Sequence, residues 1–70
     1  MVGISYEKLR ILMVKKRMEW KDLRIAVGLA PRTITKLKQD QIVDMEILMR
    51  IADYWNCDIA DLMEFKHVRG

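Results

Sequence analysis

The 70-residue sequence predicts an all-α protein, a compact bundle of five short helices. Apolar residues recur at three- and four-residue spacing through most of the chain, and no stretch alternates apolar and polar residues as a strand does. The segments between the periodic runs are short, as between neighbouring helices of a bundle. An apolar fraction of 51% suffices for one core in a chain whose length allows one domain. That domain is expected to span residues 1–70, with an ordered part over 5–65 and a frayed tail over 66–70.

Helix one is expected from about Ser5 to Arg17. Tyr6, Leu9, Leu12, Met13 and Lys16 step at helical spacing, and Ser5 has the side chain of an N-cap. Met18 turns inward at the following turn. Helix two covers Trp20 to Val27, with Leu23 and Val27 inside, and Gly28 supplies the positive φ that ends it. Pro31 suits the first turn of helix three, where its missing N–H costs nothing. That helix lasts to about Lys38, with Ile34 and Leu37 on its buried side. Gln39 to Val43 reads as a loop with Val43 buried. Asp44 then caps a fourth helix with apolar positions Met45, Leu48, Ile51, Ala52 and Trp55, ending at Asn56 or Cys57. Asp58 begins helix five, with Ile59, Leu62 and Phe65 inward. Asp61 is a weaker capping-box partner than Glu or Gln.

The single cysteine, Cys57, excludes an internal disulfide and a cysteine-based zinc cluster, and suits a reducing cytoplasm. A buried small hydrophobe is its default role, since nothing in the sequence points to a reactive thiolate. No apolar run reaches the roughly 20 residues needed to cross a bilayer. Lys8 and Arg10 interrupt the N-terminal apolar stretch, so no signal peptide is read there. With one histidine, His67, no phosphate loop and no nucleophile–base pair, an enzyme is not expected. No cofactor, metal or small-molecule ligand is expected either.

Charge is segregated along the chain. Residues 1–38 carry ten Lys or Arg against three acids, and residues 39–70 carry three against seven. A basic half beside an acidic half implies one face for a polyanion. The basic part includes helix three, whose outward stripe is Arg32, Thr35, Lys36 and Gln39 at i, i+3, i+4 and i+7. A helix, a short turn containing Gly and a second helix with a polar face is the helix-turn-helix arrangement, in which the second helix enters a DNA major groove.

The run Leu23-Arg24, then Val27-Gly28-Leu29-Ala30-Pro31-Arg32-Thr33-Ile34-Thr35-Lys36-Leu37, resembles the Cro/CI-type (phage-repressor-like) helix-turn-helix family. The stretch Leu48, Ile51-Ala52, Trp55-Asn56-Cys57-Asp58-Ile59-Ala60-Asp61-Leu62-Met63-Glu64 is similar to that family's helices four and five. The resemblance covers residues 5–65 and implies a lambda-repressor-like bundle in a short bacterial or phage transcription regulator of the repressor type. It departs from the family at the start of helix two, where Glu19 and Trp20 replace the usual Ser or Thr cap and a small phosphate-touching residue. A phosphate there would be repelled by Glu19, and the Trp20 indole offers one donor. Arg24 stands where many members carry Ala.

Arg32 is the foremost base-contacting candidate, since an early Arg can bond guanine O6 and N7 together. Lys36 has guanine, phosphate or solvent open to it. Thr33 suits a bond within its own first turn, with base contact retained from the family pattern. Pro31 is chiefly structural, with a thymine methyl or the backbone in reach. Phosphate candidates are Trp20, Lys21, Thr35, Lys38, Gln39 and Arg17, with Lys16 beside them; Thr35 has a thymine methyl as its alternative. Tyr54, Trp55, Met63, Phe65 and Val68 are candidates for pairing two copies, as that end of the domain does in the family. The alternative is a monomer whose tail folds onto its own core.

Two function classes are implied. One is sequence-specific binding of double-stranded DNA, on a roughly palindromic operator if two copies bind as a homodimer. The other is a protein-interaction module, antitoxin- or antirepressor-like, that uses helices four and five. RNA binding ranks behind both, for want of an aromatic stacking platform.

Overall fold

Nonlocal pairing reshapes the two ends of the chain. In the computed structural model, which describes residues 2–67, the order is β1 (Val2–Ser5), α1 (Glu7–Lys15), α2 (Trp20–Val27), α3 (Pro31–Lys38), α4 (Met45–Trp55), a 3-10 turn (Ile59–Asp61) and β2 (Glu64–His67). The all-α five-helix bundle is therefore corrected to four α-helices and a small antiparallel sheet. In that sheet Val2 lies opposite His67, Gly3 opposite Lys66, Ile4 opposite Phe65 and Ser5 opposite Glu64.

The expected fifth helix stops after one turn. Asp58 caps it through Ile59 N–H (2.7 Å), and Asp61 accepts the Asp58 N–H at 3.1 Å. Leu62 then enters the core, and its carbonyl accepts Leu9 N–H from α1 at 3.1 Å. The chain past that bond runs beside the N-terminal segment, where Ile4 and Phe65 favour an extended pair. Phe65 is 68% exposed rather than inward. The frayed tail is also corrected, since Lys66 and His67 belong to β2; residues 68–70 lie outside the described part.

Helix α1 is shorter than expected at both ends. Ser5 ends β1, fully buried, and its Oγ accepts the Glu7 N–H at 3.2 Å, so it serves the helix start from one position further out. Arg17 adopts φ 55, and Met18 N–H reaches back to the Met13 carbonyl at 2.9 Å. This left-handed exit closes the helix early. The start of α2 falls where expected, with Asp22 accepting the Glu19 N–H at 2.9 Å. Helix α2 closes on Gly28 at φ 78.

One core holds the elements together. Tyr6, Leu9 and Met13 come from α1 and its entry, Leu23 and Leu29 from α2 and the turn after it, and Ile34 and Leu37 from α3. Leu48, Ile51 and Ala52 of α4 and Leu62 complete it. Each such Leu or Ile contributes about 1.5–3 kcal/mol by burial. Val27, Val43, Met18 and Trp55 pack against this core while half-buried. Met45 does not join it: although it shares the face of Leu48, it is the first residue of α4 and stays 57% exposed.

Candidate nucleic-acid interface

The turn between α2 and α3 is built from three local devices. Gly28 takes the left-handed conformation, and both its N–H and that of Leu29 bond the Arg24 carbonyl at 2.9 Å. Leu29, 5% exposed, anchors the turn in the core. Pro31 opens α3, whose first carbonyl partner is Ala30. Helix α3 therefore starts at a fixed angle, held from behind by Ile34 and Leu37.

On its outer side Arg32, Thr35 and Lys36 are exposed, as are Pro31 at its start and Gln39 at its end. Neither Arg32 nor Lys36 is covered by another segment. Thr33 is half-buried. The Thr35 hydroxyl donates to the Pro31 carbonyl at 3.2 Å, which leaves its methyl and lone pairs for an outside partner. Gln39 accepts from Gln41 Nε2 at 3.0 Å, so its own amide N–H groups stay free to donate. Lys21, Lys38 and Arg17 are exposed, and Trp20 is half-buried against the core. Trp20, Lys21 and Arg24 share a groove with Pro31, Thr35 and Lys38 where α2 meets α3. Lys21 and Lys38 thus flank the helix crossing.

A polar brace behind α3 has no counterpart in the sequence pattern. Asp40, just past the helix, adopts φ 55, and Gln41 N–H bonds the Lys36 carbonyl at 2.9 Å, reversing the chain. The Asp40 carboxylate accepts Tyr6 N–H at 2.8 Å and the Arg10 guanidinium at 3.0 Å. The Tyr6 hydroxyl donates to the Gln41 carbonyl at 2.7 Å. Tyr6 N–H holds the Asp40 carboxyl below its usual range, with Arg10 adding to the effect against partial desolvation. Burial pushes the Tyr6 phenol up. These partners lie 30 or more residues apart in sequence, so no local pattern signals them.

Of the residues expected to pair two copies, Tyr54 and Phe65 keep exposed surface, 51% and 68%. Trp55 and Met63 are half-buried and packed on the core, and Lys16 Nζ lies 5.8 Å above the Trp55 ring. Val68 lies outside the described residues. Cys57 is half-buried, and desolvation, reinforced by Asp61, pushes its thiol up, toward the protonated form. Among the described residues there is no cluster of three metal-ligating side chains, and no helix long and apolar enough to cross a membrane.

The Cro/C1-type HTH DNA-binding domain matches residues 8–67. The chain belongs to this family. As a member, it is similar to the crystal structure of the transcriptional regulator VanUg (form II), with a TM-score of 0.89 and 35% identity over 93% of this chain and 87% of that one. It is also 33% identical over 66 residues to a protein of Methanocorpusculum labreanum named as an HTH-type transcriptional regulatory protein. The match takes in 94% of this chain and 21% of that relative, so the chain spans about a fifth of the relative's length. Within the family frame, Glu19 stands at the cap that Ser or Thr usually holds, and the Asp22 carboxylate on the Glu19 N–H supplies the returning half of the capping box.

Proposed function

We propose that this DNA-binding regulator reads duplex sequence by laying α3 in the major groove, and that it represses transcription. The observation that carries the reading is the exposed row Arg32, Thr35, Lys36 and Gln39 on a helix fixed from behind by Ile34 and Leu37. Arg32 and Lys36 address guanines, with Thr33 and Pro31 beside them at the base edges. Trp20, Lys21, Thr35, Lys38, Gln39 and Arg17 address phosphates, which set register and affinity without reading sequence. The whole chain acts as one DNA-binding domain.

Two copies bind together through Tyr54, Trp55, Met63, Phe65 and Val68, with recognition helices about 34 Å apart on a palindromic site. Exposed Tyr54 and Phe65 support that pairing. Selection of bound duplexes from a random pool tests the whole reading. A G·C-containing motif in two inverted half-sites is expected. Recovery of no motif would refute sequence-specific binding, and a single unrepeated half-site would refute the dimer.

A second reading, a protein-binding module, draws on Met45 and Met49, which are 57% and 58% exposed on α4. Salt separates the two. Phosphate contacts weaken steeply as salt rises, each adding about −0.9 to the log–log slope, whereas an apolar contact does not.

A further inference from the structure

Ile42 is 78% exposed, yet the chain around it is braced. On one side Asp40 is bound by Tyr6 N–H and Arg10, and the Gln41 carbonyl by the Tyr6 hydroxyl. On the other, Val43 packs against the core. A large apolar side chain is thus held out in water on a loop with little freedom. Core packing does not call for it there.

Its neighbours say what it faces. Ile42 shares a cleft with Arg32, Thr33 and Lys36 of α3, and Asp44 and Ile47 form part of the same walls. A cleft for a phosphate would not include the carboxylate of Asp44, which repels one. A base edge fits the mixture better. Guanine N7 and O6 suit the two cations, and the major groove offers one apolar group for the isoleucine, the C5-methyl of thymine.

We propose that Ile42 is a specificity-determining residue that contacts a thymine methyl beside the base pairs addressed by Arg32 and Lys36. The proposal rests on the DNA reading above and extends the reading surface from α3 to the loop after it. Since the loop is already ordered, the contact costs little further ordering on binding.

The test runs duplex selection on the wild-type chain and on Ile42→Ala in parallel, with thermal melting to show that both fold. The wild-type motif should contain a thymine whose preference disappears in Ile42→Ala, while the guanine preferences persist. Replacing that thymine by deoxyuridine, which removes the methyl alone, should weaken wild-type binding about three- to fivefold and leave Ile42→Ala unchanged. Identical motifs from the two proteins, or equal affinity for the thymine and uridine duplexes, would overturn the assignment while leaving DNA reading by α3 intact. If Ile42→Ala weakens every duplex alike and shifts sedimentation toward a lighter species, the side chain joins copies of the protein and the proposal is wrong. Failure of the wild-type chain to select any motif overturns this proposal together with the reading beneath it.

Discussion

Arg32 and Lys36 stand one turn apart on α3, both exposed, and their chemistry differs. The flat guanidinium can bond both guanine acceptors in one plane, while the ammonium is a mobile point charge. Arg32→Ala should therefore cost about 1–3 kcal/mol against the preferred site and relax selectivity at one position. Arg32→Lys should restore affinity in part without restoring selectivity. Competition between specific and scrambled duplexes measures both effects. Asp40 belongs to the same scale. Its carboxyl sits below the ordinary 3.8, so its contribution to stability is complete above that value and fades as pH falls through the lowered one. Asp40→Asn keeps a side chain that tolerates the left-handed backbone but loses the charge-assisted bonds, at about 1–2 kcal/mol. Acid unfolding followed by circular dichroism should show the wild type losing its advantage over this variant below about pH 4.

The helices are shaped as much by how they stop as by what they bury. Residues in the left-handed conformation follow all four: Arg17 at φ 55, Gly28 at φ 78, Asp40 at φ 55 and Asn56 at φ 52. Only Gly28 adopts it without a steric penalty. A Cβ placed there would meet nothing within 4 Å, so Gly28→Ala should cost about 1–2 kcal/mol through backbone strain alone. Asn56→Gly should change stability by well under 1 kcal/mol, because Asn already tolerates the conformation. Chemical denaturation of the two variants checks the contrast. The Gly28 exit was legible in the sequence because glycine announces it. Arg17 gave no such notice, and α1 consequently ends two residues before its expected end. The core and the outward row of α3 were legible because both follow helical periodicity. The paired strands were not, since Val2–Ser5 and Glu64–His67 are too short to show a period and acquire their form from partners about 60 residues away. The brace at Asp40 leaves no local pattern either, because its partners lie 30 or more residues away.

At the scale of the molecule, the basic first half supplies α1 to α3, and the acidic second half supplies α4, the 3-10 turn and β2. Under the DNA reading, that division would orient the approach to a polyanion. Binding should lose affinity with salt at a slope near −0.9 for each phosphate neutralised, and Lys21→Ala and Lys38→Ala should each reduce it by about one. Titration of fluorescent duplex at several salt concentrations gives the slope directly. A slope unaltered in both variants would remove these lysines from the phosphate contacts.

The pairing of Val2 with His67 has a consequence for engineering. The polypeptide leaves this module beside the point where it enters, and the backbone there is already stitched by hydrogen bonds. A few glycines joining residue 67 to residue 2 should close the chain into a loop, so that a cut elsewhere gives a viable permutant. By the same geometry, a host protein could carry the module as a graft within one of its surface turns, attached through two neighbouring stems.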